Sequence, residues 1–430
     1  MADSNDKNDR SVRHLELFIT ERCNLRCEYC FTRDRTGKDI DLDLAFDSVR
    51  WAIENNQSKN FHISYWGGEP FMRPDIIENI ALFTKEICKN TKKKTSFGVP
   101  TNSTLLSDKN LDLSDRISLG MSLSLDGDLE SQRHRPTATG HNSFGTVIKV
   151  MNRLRKRTQG RRRPSVRLTA SESNIDRFVD NMSFFHDRGF WNVAFYPDLD
   201  HPWKESSWET FKKEQETLAL RYVQSAKSRG PMPRYNLWTT LLQKMYNFHF
   251  HDKRRDHGGV LRFCGAGRGM LAVTVEGDIY PCHRFVFYDR PQAKTKLGNV
   301  RTGWNKEQRD AYFGLQQEDA KVQGSGLKCN DCSLFDYCDH QCIAINYLRT
   351  GEFTTIPIEA CRFNKVVVDV VQNIFDEVKD DERALDRILG EKRKRPDPNK
   401  RRCFVVEELL DQSEELAEAA LNRLLEAEIS

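Results

Sequence analysis

Cys23, Cys27 and Cys30 stand at a C-x3-C-x2-C spacing directly behind a short apolar run. Thiolates hold iron–sulfur clusters, usually four to a cubane. Three protein ligands leave one iron with an open position, which can bind a substrate or cofactor, while a closed cluster passes electrons. Zinc is the simpler alternative, but structural zinc takes four ligands and no nearby His or Cys completes the set. A second group comprises Cys264, Cys282 (in a Gly277-x4-Cys282 segment), Cys329, Cys332, Cys338, Cys342 and Cys361. A zinc ribbon would use four of these and strand three. Cys88 and Cys403 stand alone and read as ordinary thiols. In a chain without an export signal, clustered cysteines point to metal or catalysis rather than to disulfides.

The elements that must position these thiols can be read around them. The chain of 430 residues is 38% hydrophobic and 30% charged, a soluble profile with room for two domains. No stretch reaches the roughly 18 apolar residues of a spanning helix, and Met1–Asn8 has no apolar core for a secretory signal. A cytoplasmic location without a membrane partner is expected. A net charge of +4 argues against nucleic acid. The basic runs Lys89–Lys94, Arg153–Arg163 and Lys392–Arg402 read as solvated helix ends or loops, with steering of an acidic partner as the other reading.

Leu15–Thr20, Phe61–Tyr65, Ser96–Thr101, Leu119–Leu125, Val166–Ala170 and Asn192–Tyr196 read as strands. Between them, helical periods run through Leu42–Ile53, Pro74–Lys89, Phe144–Leu154 and Phe178–Asp187. The alternation predicts βαβ units and a parallel sheet. About 180 residues are too few for an eight-unit barrel of about 250, so an α/β partial barrel of six units is expected. Expected boundaries are a polar tail at 1–14, the barrel at 15–230, a helical bridge at 231–263, a metal-stabilised region at 264–361 and a helical extension at 362–430. The region 264–361 is short on long periodic segments, so bound metal would have to hold it together. In the extension, Asn364–Val378 reads as a helix, Glu391–Arg402 as a linker and Leu409–Leu424 as an amphipathic helix.

Cys23-Asn24-Leu25-Arg26-Cys27-Glu28-Tyr29-Cys30-Phe31 resembles the signature of the radical S-adenosylmethionine (SAM) superfamily, whose fold is a partial (β/α)6 barrel. The resemblance implies that Cys23, Cys27 and Cys30 ligate a [4Fe–4S] cluster whose open iron chelates SAM. The reduced cluster would then cleave SAM to methionine and a 5′-deoxyadenosyl radical. Trp66-Gly67-Gly68-Glu69-Pro70 matches the family's GGEP motif. Its glycines would let backbone approach the ligand, and Glu69 would accept from the SAM ammonium. Ser124-Leu125-Asp126-Gly127 resembles the S-x-DG motif, with Ser124 on SAM and Asp126 facing the substrate. Arg135, Ser143 and Phe144 continue a related pattern. Tyr29, Asn102 and Phe195 are further expected cofactor contacts, all near strand ends where barrel sites are built. Asn102 and Arg135 have a purely structural reading as well.

The seven later cysteines resemble a SPASM domain, which houses two auxiliary [4Fe–4S] clusters. By that resemblance Cys329, Cys332, Cys338 and Cys361 form the distal cluster, and Cys264, Cys282 and Cys342 hold the nearer one. Seven ligands for two clusters leave one open or non-cysteine position. Cys282 is followed by His283-Arg284-Phe285 where sulfatase maturases carry an acidic residue. His283 is therefore the candidate base, and packing beside the cluster is the other reading. The motifs resemble enzymes that modify ribosomally made peptides, through crosslinks, thioethers or epimerisation. A precursor peptide with a leader is the expected partner, together with a flavodoxin- or ferredoxin-type electron donor. The 14 residues before the first strand hold no leader-binding domain, so the barrel, the tail or a separate recognition protein would read the leader. The alternatives are a sulfatase-type maturase oxidising a Ser or Cys of a folded protein, and a non-catalytic iron–sulfur scaffold or electron carrier.

Overall fold

In the computed structural model, residues 11–32, 35–158, 164–251, 265–288, 294–315, 320–338 and 342–390 are described. In chain order the elements are β1 (His14–Thr20), α1 (Leu42–Glu54), β2 (Asn60–Gly67), α2 (Pro74–Asn90), β3 (Lys94–Thr101), α3 (Asp108–Ile117), β4 (Leu119–Ser124), α4 (Leu129–Gln132), α5 (Phe144–Thr158), β5 (Ser165–Ala170), α6 (Phe178–Asp187) and β6 (Asn192–Pro197). There follow α7 (Glu205–Lys227), β7 (Arg234–Tyr235), α8 (Asn236–His251), β8 (Met270–Val273), β9 (Asp278–Tyr280), α9 (Phe285–Tyr288), β10 (Gly298–Asn299), β11 (Gly303–Trp304), α10 (Lys306–Phe313), β12 (Lys321–Val322), α11 (Ile343–Thr350), β13 (Thr355–Ile356), α12 (Ile358–Val378) and α13 (Glu382–Leu389). The fold class is the expected α/β partial barrel of six βα units.

Two compact units divide the chain. The first comprises residues 1–169, 180–190 and 264–314; the second comprises 170–179, 191–263 and 315–430. These units cut across the boundaries expected from sequence. Residues 264–314 belong with the barrel because β8 pairs in parallel with β1, from His14 opposite Met270 to Leu17 opposite Val273. The predicted helical bridge at 231–263 falls in the second unit, where α8 follows α7 after a break at Pro231 and Pro233. The linker and final helix expected from Glu391 onward lie outside the described residues.

In the first unit, β1 to β5 form a parallel sheet in chain order, continued beyond β1 by β8, β9, β10 and β11. One face packs under helices: Leu15, Leu17, Phe61, Ile63, Tyr65, Phe97, Val99, Leu123, Val166 and Leu168 are buried. The alternate positions carry His14, Glu16, His62, Ser64, Ser96, Ser122, Ser124 and Arg167. Parallel sheets are ordinarily apolar on both faces; this one reserves its inner face for polar groups. There, His14 Nε2 lies 2.8 Å from Ser64 Oγ, and His62 Nδ1 lies 2.8 Å from Ser96 Oγ.

The second unit is held by aromatic packing. Phe195 on β6 meets Phe178 at 5.1 Å and Trp238 at 6.4 Å between ring centroids. Phe211 on α7 stacks on Phe363 of α12 at 5.3 Å. Truncating Ile63, which is 0% exposed, to alanine should cost about 2–5 kcal/mol, read as a lower denaturation midpoint of the first unit.

Candidate active site

The cysteine loop leaves the C-terminal end of β1. The Thr20 hydroxyl donates to Asp39 Oδ1 at 2.6 Å and accepts from the Arg22 amide at 3.1 Å. The loop then passes the end of β2 at contact distance. A Cβ on Gly67 (φ +155°) would lie 1.9 Å from the Thr20 carbonyl oxygen. One on Gly68 would lie 2.3 Å from the Arg22 carbonyl oxygen and 2.8 Å from the Cys23 Cβ. The amides of Gly68 and Glu69 donate to those same two carbonyls at 3.0 and 2.8 Å. Gly67 and Gly68 were expected to make room for a ligand; in the fold they make room for the cysteine loop itself.

Glu69 is buried and accepts three hydrogen bonds. Phe71 N and Thr101 Oγ1 donate to Oε1 at 3.1 and 2.9 Å, and Asn102 N donates to Oε2 at 2.7 Å. Burial nevertheless pushes its carboxyl up to about 7. A carboxyl in that setting would be drawn to its ionised form by an ammonium group. Asn102 joins the strand ends to the loop: its Nδ2 donates to Asn24 Oδ1 at 2.9 Å and lies 3.8 Å from Cys23 Sγ. The Leu25 amide approaches the same sulfur at 3.4 Å. Such N–H donors around a thiolate orient it and tune what it binds. All three thiols, Cys23, Cys27 and Cys30, open on one cavity of about 630 Å³, bordered by Arg22, Arg26 and Arg35.

A buried polar triad anchors the loop from the other side. The Tyr29 hydroxyl donates to Asp126 Oδ2 and accepts from Arg135 Nη1 at 2.7 Å. Arg135 Nη1 lies 3.9 Å from Asp126 Oδ1, which also accepts from the Thr169 amide at 3.3 Å. Ser143 donates to the Arg135 carbonyl at 2.8 Å and accepts from Gln132 Nε2 at 3.0 Å. Asp126 is 0% exposed, and burial raises its carboxyl against the pull of Arg135 and Tyr29. It was expected to face the substrate; here it is enclosed and holds Tyr29. Tyr29, expected on the cofactor, engages its hydroxyl in this triad. The Phe195 side chain, also expected on the cofactor, is 1% exposed in the aromatic core of the second unit. Ser124 ends β4, half-buried and in register with Arg167.

His283 follows Cys282, which is buried, in the first unit. Its ring lies on Trp66 with centroids 3.7 Å apart and planes 12° from parallel. Its partner is Glu16 on β1, a residue hidden in sequence within an apolar strand. Burial pushes the Glu16 carboxyl up, but the His283 charge and hydrogen bonds outweigh this and hold it below the usual range. Burial lowers the His283 imidazole, with Glu16 opposing.

In the second unit, Cys329, Cys332 and Cys361 lie close enough for their charges to interact. Burial first, then these neighbours, push Cys329 up to about 12 and Cys361 to about 11. Helix α12 begins at Ile358, six residues earlier than an Asn364 start would place it, so that Cys361 lies in its first turn. Asn364, one turn on from Cys361, donates to Cys338 Sγ at 3.2 Å. Cys342 caps α11 in the same unit, and Cys264 lies outside the described residues. Among the described residues no three His, Cys, Asp or Glu converge as ligands of a single metal ion; a cubane takes each thiolate on a separate iron. No helix among them is long and apolar enough to cross a membrane.

Two outcomes follow from this geometry. Gly68→Val should abolish iron binding at the Cys23 loop, seen by iron and sulfide analysis, with far-UV circular dichroism kept. Arg135→Leu leaves Asp126 buried without its cation and should cost about 3–5 kcal/mol in chemical denaturation.

Comparison with known proteins places this site. The family profile described as the Radical SAM superfamily matches residues 17–166. A probable GTP 3′,8-cyclase of Methanocaldococcus jannaschii is 30% identical over 188 residues, 43% of this chain and 58% of that protein; the chain thus spans little more than half of that relative. Among solved structures, anSMEcpe, an anaerobic sulfatase maturase, with bound AdoMet and the Cp18Cys peptide is similar with a TM-score of 0.66 and 16% identity, over 87% of this chain and 98% of that one. Streptococcus suis SuiB bound to precursor peptide SuiA is similar with a TM-score of 0.52 and 16% identity, over 81% and 75%. At these identities the two structures share the fold. Residues 17–166 form a radical SAM domain.

Proposed function

We propose that the chain acts on a ribosomally made precursor peptide, removing hydrogen from it to leave a carbon–carbon crosslink, a thioether or another modification. The observation that carries this is the convergence of Cys23, Cys27 and Cys30 on one cavity, behind a loop clamped by Gly67, Gly68 and Asn102. When bound, SAM and a reduced [4Fe–4S] cluster supply a 5′-deoxyadenosyl radical that abstracts hydrogen. The chain's own residues bind and orient. Cys23, Cys27 and Cys30 hold the cluster, and the raised Glu69 carboxyl takes the SAM ammonium, whose charge returns it to the ionised form. Asn102 and Ser124 border the cofactor, and Gly67 and Gly68 hold the loop that presents the cluster. Asp126 and Tyr29 keep the loop in place, His283 accepts a proton from the substrate, and an auxiliary cluster would take up the electron left on the substrate when a crosslink closes.

In the second unit Cys329, Cys332, Cys338 and Cys361 hold a distal auxiliary cluster; their mutual proximity and the Asn364 contact support that set. A peptide substrate is supported by the similarity to SuiB, seen bound to a precursor peptide, and to anSMEcpe, seen bound to a peptide. A flavodoxin- or ferredoxin-type protein delivers the electron in the cytoplasm, and the barrel, the tail after Cys361 or a separate protein reads the leader. A second reading, oxidation of a Ser or Cys in a folded protein, draws on the match to nearly the full length of anSMEcpe.

Anaerobically reconstituted protein should form 5′-deoxyadenosine from SAM, and Cys23→Ala should reduce this to background. A co-expressed precursor encoded beside the gene should lose two hydrogens per crosslink, or keep its mass on epimerisation. Absence of 5′-deoxyadenosine across several reductants would overturn the radical reading, and an unmodified precursor would overturn the peptide reading.

A further inference from the structure

The inner face of β1 carries a carboxylate that the reading above does not use. Glu16 is 2% exposed in mid-strand, between the outward-packed Leu15 and Leu17. A buried carboxylate is costly unless its oxygens are engaged. A single residue engages both: the His283 amide donates to Oε2 at 2.8 Å, and His283 Nδ1 lies 2.8 Å from Oε1. Contact fixes the ring as well. It lies 3.7 Å from Trp66, the residue before the two glycines that clamp the cysteine loop, and 5.6 Å from Phe31 of that loop.

A carboxylate only accepts, so Nδ1 carries the hydrogen, and in the neutral ring the lone pair is left on Nε2. Among the described residues Nε2 has no hydrogen-bond partner, and the side chain remains 16% exposed. A ring needed only for packing gains nothing from a buried carboxylate; apolar residues of similar volume serve that purpose as well or better. We propose that Glu16 is a positioning residue. It fixes the tautomer and tilt of His283, so that Nε2 is offered as a hydrogen-bond acceptor to an N–H or O–H of the substrate brought to the cysteine loop. The inference rests on the reading that a substrate is brought there, and extends it to β1.

Diethylpyrocarbonate, which acylates the unprotonated imidazole nitrogen, tests the geometry on the full cluster-bearing chain, with His283 followed by peptide mass mapping. His283 should be acylated in the unaltered protein. Glu16→Gln should slow that acylation at least fivefold, because the glutamine amide can donate to Nδ1 and shift the ring hydrogen to Nε2. Iron content equal to that of the unaltered protein shows that the variant is folded; if it is lost, Glu16→Asp, which keeps the charge but withdraws it, should slow the reaction at least twofold. An unreactive His283 in the unaltered protein overturns the proposal whatever the variants do, as does an unchanged rate in an iron-replete variant. This readout stands whether or not a peptide is the substrate. With a co-expressed precursor, Glu16→Gln and His283→Ala should lower the modified fraction equally, at least tenfold; full modification by Glu16→Gln overturns the link to the substrate.

Discussion

A loop that must bring three thiols to one cluster has no ladder of its own to hold it, so its shape is borrowed from its neighbours. The end of β2 supplies most of that shape. Two carbonyls at the start of the loop accept the amides of Gly68 and Glu69, and the missing side chains of Gly67 and Gly68 allow the two chains to run at backbone contact. Glu69 extends the clamp, since its carboxylate reaches the Thr101 hydroxyl and the Asn102 amide. Asn102 then reaches back to Asn24 and the Cys23 sulfur. The ends of β1, β2 and β3 thereby act as one frame, and the polar inner face of the sheet runs up to it. Loop position, not loop sequence alone, sets where an open iron would face.

The opposite side of the loop depends on buried charge. The half-buried Tyr29 exchanges hydrogen bonds with the buried Asp126 and Arg135. Low local dielectric strengthens such a network when complete and penalises it when one member is lost. Gln132 and Ser143 complete it through the Asp126 amide and the Arg135 carbonyl. The S-x-DG segment and the arginine and serine that follow are thus parts of one brace, which explains why residues 19 positions apart, Ser124 to Ser143, were read as a single pattern.

Much of the fold was legible because period and punctuation agree. Phe178–Asp187 is helical over the span expected, and the six strands fall within two residues of their predicted starts. The chemistry of the loop was legible from cysteine spacing. The reasons behind several motif residues were not. Gly67 and Gly68 read the same whether they yield to a ligand or to a backbone, and only the positions of Thr20 and Arg22 decide. Asp126 and Phe195 sit near strand ends, where a side chain may turn to the site or into the core; both are buried. Glu16 could not have been found, because Leu15 and Leu17 make β1 look apolar and its partner lies in a segment distant in sequence. The compact units were misread for a related reason: β8 is four residues long, and its parallel pairing with β1 leaves no local signal.

The two sets of thiols also share a thermodynamic feature. Burial raises Cys27 to about 11, Cys329 to about 12 and Cys361 to about 11. At neutral pH these thiols keep their protons unless a metal displaces them, since the thiolate is the ligand. Burial therefore sets a threshold that only a strongly binding cation can cross. Once it does, the free energy of the thiolate–metal bonds becomes folding free energy for segments with little core of their own. In the second unit that gain falls on the loop bearing Cys329, Cys332 and Cys338, which α12 meets through Cys361 and Asn364. In the first unit it falls on a loop already framed by three strand ends. Were a cluster bound at each set, the same chemistry would act on a loop framed by strand ends at one and on a loop with less surrounding structure at the other.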